Sequence, residues 1–140
     1  MKVVFACIHN AGRSQMAAAF FNKFARCSSA ISAGTEPAEK VHELVVAVMN
    51  EVGINLSDTK PQKLTEDLVK DANLLITMGC GESCPVVPGL QRDDWPLPDP
   101  KGKSINDVRS IRDEIHSRVI NLLESFNDCL QPATNGEKVL

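Results

Sequence analysis

Cys7-Ile8-His9-Asn10-Ala11-Gly12-Arg13-Ser14 places a thiol, an arginine and a hydroxyl on one short segment, a combination suited to nucleophilic attack on a bound oxyanion. A cysteine attacks as its thiolate, which forms more readily at a helix N-terminus beside an arginine. Arg13 offers a planar fork of donors that matches an oxyanion, and Gly12 lets the backbone approach the anion. Asn10 tolerates unusual backbone angles, and the Ser14 hydroxyl has a hydrogen to give to the sulfur. The alternative is an inert buried cysteine ending a strand, with the arginine in solvent; the agreement of loop chemistry, helix start and Cys-x5-Arg-Ser spacing argues against it. Ile8, His9 and Ala11 complete the candidate oxyanion loop.

Such a loop needs a strand to deliver Cys7 and a helix to begin at Arg13. Val3-Val4-Phe5-Ala6 reads as the buried strand, and Gln15-Met16-Ala17-Ala18-Ala19-Phe20-Phe21 as the start of the helix. The first turn of that helix presents N–H groups and a partial positive charge to the loop. Ala17, Phe20, Phe21 and Phe24 have the spacing of a buried face, over a helix from about Arg13 to Arg26. A second strand is expected over Ser28 to Gly34, making a parallel crossover unit.

Further along, Val41, Leu44, Val45, Val48 and Val52 predict a helix stopped by Gly53. Thr65 reads as an N-cap with Leu64 and Val69 as a hydrophobic staple, and Asn73 to Met78 as a third strand. The Pro-, Asp- and Gly-rich stretch from Val86 to Pro100 leaves room for a short strand near Trp95. The last helix is expected to start at the Ser104 cap, with Ile105, Val108, Ile111, Ile115, Val119, Leu122, Leu123 and Phe126 on its core side. His42 and His116 lie beside apolar stripes, where packing or surface exposure is the default reading. From Asn127 the pattern fades into a tail expected to be loose.

The chain has 140 residues, 43% hydrophobic content and a net charge of -3, which suits one domain with its own core and gives no electrostatic case for nucleic acid. No apolar run approaches the roughly 18 residues needed to span a bilayer, and the N-terminus is too short in apolar residues for a signal peptide. A cytoplasmic protein is expected, with neither a membrane nor a nucleic-acid partner. The five cysteines, Cys7, Cys27, Cys80, Cys84 and Cys129, then point to catalysis or redox chemistry rather than to staples.

Two further features fall at the same expected sheet edge, where open α/β sheets bind ligands. Asp99, in Pro98-Asp99-Pro100, is a candidate general acid for the oxygen that leaves phosphorus or arsenic, provided it holds a proton; alone it would read as a turn aspartate. Cys80 and Cys84, in Gly79-Cys80-Gly81-Glu82-Ser83-Cys84-Pro85, admit three readings. A zinc site lacks convenient partners among three histidines, buried thiols are common, and a redox pair able to reach a nucleophilic cysteine in turn is preferred.

CIHNAGRSQMAAA resembles the anion loop of the low-molecular-weight phosphotyrosine phosphatase fold, and more closely that of its arsenate reductase branch. LLITMGCGESCP, DDWPLPDP and VRSIRDEIHSRVINLL extend the resemblance over residues 2 to 126. It implies a single-domain α/β three-layer sandwich over 1–126, with a four-stranded parallel sheet in the order 2-1-3-4 flanked by helices, and a tail over 127–140. It implies that Cys7 attacks the oxyanion held by Arg13 and the loop amides, that Ser14 and Asn10 support the thiolate and loop, and that Asp99 is the acid.

For arsenate, the resemblance further implies that Cys80 attacks Cys7 to release arsenite and leave a Cys7–Cys80 disulfide. Cys84 then displaces Cys7, and the Cys80–Cys84 disulfide is reduced by a partner: thioredoxin, glutaredoxin with glutathione, or a mycothiol-type thiol. The alternative activity is hydrolysis of phosphate esters through a Cys7 phospho-enzyme. Lys101-Gly102-Lys103 follows Asp99-Pro100, and the chain has no tyrosine, which disfavours a phosphotyrosine ring as substrate. Ala18 stands where potassium-binding members carry a glutamate, so no potassium site is expected; no other metal and no cofactor are expected either.

Overall fold

Along the first strand, β1 (Lys2–Cys7), side chains alternate between two cores. Val3, Phe5 and Cys7 join the larger core, while Val4 and Ala6 join the smaller one, as the period of two in a strand buried on both faces requires. The computed structural model describes residues 1–79 and 89–126. The elements that follow β1 are α1 (Arg13–Phe24), β2 (Ser29–Gly34), α2 (Glu43–Asn50), α3 (Glu66–Val69), β3 (Leu74–Thr77), β4 (Gln91–Asp94) and α4 (Ile105–Ser125).

The strands form one sheet in the order β2-β1-β3-β4, as expected, and every adjacent pair is parallel. Cys7 lies opposite Gly34 and Ala6 opposite Thr77, so the loops after β1, β2 and β3 leave from one edge. A bridge between Gly34 and Lys63 brings residues 62–64 alongside the end of β2.

The larger core gathers Met16, Ala17, Phe20 and Phe21 of α1, Val45, Val48 and Met49 of α2, and Val108, Ile111, Ile115, Val119 and Leu123 of α4. Phe21 meets Phe5 edge-on at 5.9 Å, and Trp95 meets Phe5 in a tilted arrangement at 5.5 Å, within the range of favourable aromatic pairs. On the opposite face, Leu64, just before α3, and Val69, its last residue, lie in the smaller core with Leu75. Thr65 caps α3 through a hydrogen bond from Leu68 N at 3.2 Å, and Ser104 caps α4 through one from Asp107 N at 3.2 Å. Both caps were anticipated from residue type.

Several expected boundaries and faces shift. Helix α1 ends at Phe24 rather than Arg26, because Ala25 is already extended with ψ 146°. The expected stripe through Val41, Leu44, Val45, Val48 and Val52 is broken: α2 is short, Leu44 and Val52 are exposed, and Met49 takes the buried place. Gly53 does turn the chain with φ 82°. Ile105 lies exposed in the first turn of α4 instead of in the core.

His116 stacks on Phe20 at 4.7 Å and on Phe24 at 5.3 Å, a packing role. Glu51 ties α2 to α4, its carboxylate lying 2.7 Å from Arg109 Nη2 and 2.8 Å from Arg112 Nη1. Among the described residues no helix is long and apolar enough to cross a membrane. The tail assigned to 127–140, with Cys129, lies outside the described residues.

Candidate active site

The strand β1 ends at Cys7 and α1 begins at Arg13, so Ile8 to Gly12 form a loop folded back over the start of a helix. No side chain caps that helix start, and its N–H groups are the kind that receive an anion. Cys7 is 2% exposed. Its Sγ lies 2.9 Å from Ser14 Oγ and accepts from the Asn10 backbone N–H at 3.3 Å. Asn10 holds φ 51°, the left-handed conformation that lets its N–H turn inward to the sulfur. Its Nδ2 donates to Ser14 Oγ at 2.7 Å.

Arg13 is also buried, at 6% exposure, and its guanidinium is positioned by the chain that follows β4. Nη1 donates to the Leu97 carbonyl at 3.0 Å, and Nη2 lies 3.9 Å from Asp99 Oδ2. Gly79, after β3, approaches from a third side: a Cβ there would meet Nη1 at 2.6 Å. The other Asp99 oxygen, Oδ1, accepts from Lys101 N at 3.0 Å. Asp99 is therefore both the turn aspartate and the carboxyl facing the arginine.

These contacts bring Cys7, Asn10, Arg13, Ser14 and Asp99 into one constellation. Of the other loop residues, Ile8 packs on the smaller core and Ala11 is buried. His9 Nδ1 is 3.0 Å from the Glu36 carbonyl and ties the loop to the segment after β2. Cys80 and Cys84 lie outside the described residues. Cys7 is a free thiol.

Three contributors escape a reading by residue type. Gln15 Nε2 donates to both Asn10 O and Asn10 Oδ1 at 3.1 Å, the Gln62 backbone N–H donates to Asn10 Oδ1 at 3.0 Å, and the Leu97 carbonyl holds Arg13. A polar residue directly after the loop, on the side the helix buries, was the available signal for Gln15; main-chain groups carry none.

His42 precedes α2 rather than lying on its apolar face. Its N–H donates to Ala11 O at 2.9 Å, and its side chain lines a cleft of about 340 Å³ with Lys40, Pro100 and Lys101. Burial holds the imidazole below its ordinary value of 6.5; the Asp99 carboxylate opposes this, and Lys101 and His9 reinforce it. Among the described residues no group of three or more His, Cys, Asp and Glu side chains is arranged to hold a metal ion.

Comparison with known proteins identifies the family to which this fold belongs. The sequence profile of the low molecular weight phosphotyrosine protein phosphatase family matches residues 2–131. A protein of Halobacterium salinarum is 38% identical over 90% of this chain and 93% of its own length. The glutaredoxin arsenate reductase of Synechocystis is 33% identical over 90% of this chain and 98% of its own. The solved thioredoxin-dependent arsenate reductase of Corynebacterium glutamicum superposes with a TM-score of 0.79 at 39% identity, covering 90% of this chain. This chain spans 61% of that protein's length. On the family profile and these relatives, the chain belongs to the low molecular weight phosphotyrosine protein phosphatase family.

Proposed function

We propose that the protein is an arsenate reductase in which Cys7 is the first nucleophile. The observation that carries this reading is the buried Cys7 sulfur, 2.9 Å from Ser14 Oγ and 3.3 Å from Asn10 N at the uncapped start of α1. Arsenate lies against the α1 N-terminus with Arg13 on its oxygens. The thiolate forms a sulfur–arsenic bond as one oxygen leaves as water, taking a proton from Asp99.

Cys80 then attacks Cys7 Sγ, forming a Cys7–Cys80 disulfide. The electron pair of the broken sulfur–arsenic bond stays on arsenic, which departs as arsenite. Cys84 attacks Cys80, Cys7 leaves as a thiolate, and a dithiol partner or small thiol reduces the resulting Cys80–Cys84 disulfide. The names of the Corynebacterium and Synechocystis relatives support thioredoxin and glutaredoxin as reductants to try first.

The test is arsenite formation from arsenate with thioredoxin, glutaredoxin with glutathione, or mycothiol systems supplied. It is joined to a peptide map of disulfides after one equivalent of arsenate. Turnover with one system and a trapped Cys7–Cys80 disulfide in Cys84→Ser support the relay. Full activity in Cys84→Ser points to an external thiol in place of Cys84. Cys7-dependent hydrolysis of an aryl phosphate, undiminished when Cys80 and Cys84 are serine and with no arsenite formed, would make the protein a phosphatase.

A further inference from the structure

We infer that Gln15 is a positioning residue for Cys7: its buried amide, acting through Asn10, fixes the direction in which the Ser14 hydroxyl gives its hydrogen. This rests on Cys7 being the nucleophile.

The polarity of the chain of hydrogen bonds begins at a group that can only donate. The Gln62 main-chain N–H reaches Asn10 Oδ1 at 3.0 Å, so the oxygen end of the Asn10 amide must face it. The nitrogen end, Nδ2, is then turned to Ser14 Oγ at 2.7 Å and also can only donate. Ser14 therefore accepts from Asn10 and keeps its own hydrogen for Cys7 Sγ at 2.9 Å. A thiolate can only accept, so the bond it needs is the one this polarity supplies.

Gln15 holds the middle of that chain. Its Nε2 has two hydrogens and meets two acceptors of one residue, Asn10 O and Asn10 Oδ1, each at 3.1 Å. The clamp joins the side chain of Asn10 to its own backbone in the left-handed conformation at φ 51°, where a non-glycine residue needs support. Gln15 is 3% exposed, so water offers its amide little alternative. Both donors to Asn10 Oδ1 stand on fixed supports. Gln15 belongs to α1, and Gln62 is held by Gly34 N donating to its carbonyl at 2.9 Å and by its Nε2 donating to Ser32 O at 2.9 Å. Without Gln15 the Asn10 carbonyl loses this donor and the Gln62 N–H alone holds Oδ1, so the amide swings over a wider range and the Ser14 hydroxyl is aimed less closely at Cys7.

The experiment is the rate of iodoacetamide alkylation of Cys7, resolved by peptide mass spectrometry and followed against pH in the full chain. Gln15→Met is expected to move the midpoint of that profile upward and to slow alkylation at neutral pH by about 10-fold, the scale of one charge-assisted hydrogen bond. Ser14→Ala should do the same, and the double variant little more, because both act through one hydroxyl. Gln15→Glu, which sets a carboxylate against two carbonyl oxygens, should shift the profile further. A loss of thermal stability in Gln15→Met with an unmoved midpoint, while Ser14→Ala moves it, overturns the inference.

Should Gln15→Met fail to fold, the unsubstituted protein labelled with ¹⁵N-glutamine decides. The Gln15 side-chain amide signals should move with the Cys7 midpoint, and signals indifferent to it overturn the inference. Cys7 alkylating in the unsubstituted protein no faster than free cysteine would sink the nucleophile reading itself, and this inference with it.

Discussion

Arg13 and Asp99 face each other at the rim of the loop, Nη2 3.9 Å from Oδ2, while the residue two before Asp99 holds the other arm of the guanidinium through its carbonyl. The separation is too long for a hydrogen bond. It leaves room for each group to work on a bound anion separately. Asp99 keeps 43% of its side chain exposed and spends Oδ1 on the Lys101 N–H, so Oδ2 is the oxygen that faces Arg13.

Asp99→Asn should separate binding from turnover. The amide oxygen can still accept from Lys101 N–H, so the turn that positions Leu97 and Arg13 survives. Loss of the acid is expected to reduce turnover by about 100-fold or more. Phosphate affinity, read by calorimetry or competitive inhibition, should be kept or raised, because a negative charge has left the rim. Unchanged turnover would remove Asp99 from the chemistry.

Gly79→Ala should act on Arg13 without touching it in sequence. Gly79 has φ 90°, and an added Cβ would sit 2.6 Å from Arg13 Nη1. The variant must strain the backbone or push the guanidinium aside. Phosphate affinity is expected to fall about 10-fold or more, comparable to the loss of one charge-assisted hydrogen bond. Retained affinity would mean that the loop after β3 yields instead.

Residue types reveal part of this site, and main-chain contacts make up the rest. The path from Val3 to Phe21 was readable because a buried strand, a Cys-x5-Arg loop and an aromatic helix face each leave a periodic or chemical trace. Leu97 was not, since its contribution is a carbonyl that every residue has. Leu44 and Val52 misled because a helix of two turns does not bury both ends of an apolar stripe. Met49, one position along from Val48, faces the core instead. Asp99 was readable as two alternatives; the geometry supplies the turn aspartate, through Lys101 N, and sets the carboxyl 3.9 Å from Arg13.

Glu51 gives the fold an acid-sensitive tie. Hydrogen bonds from Arg109 first and Arg112 second hold its carboxyl at about 2, against an ordinary 4.5. A carboxyl lowered in the folded state stabilises fully above its unfolded value and loses that contribution as pH falls through the folded one. The urea midpoints of the parent protein and Glu51→Gln should therefore differ at neutral pH and converge between about 4.5 and 2. Added salt should narrow the difference, since Glu51 and Arg109 are solvent-facing. A gap independent of pH would assign the effect to something other than charge.

His42 should make anion binding pH-dependent from outside the Cys7 loop. Burial keeps its imidazole neutral below the usual 6.5, and its ring lines the cleft shared with Pro100 and Lys101. Protonation adds positive charge beside the anion site, so an anion of fixed charge should bind more tightly as pH falls below 6.5. Sulfate is the suitable probe, because phosphate and arsenate themselves titrate near neutrality. In His42→Gln the acid-side gain in sulfate affinity should shrink, while affinity at neutral pH, where the parent imidazole is already uncharged, stays the same. A profile identical in both proteins would show that the imidazole's charge does not reach the anion.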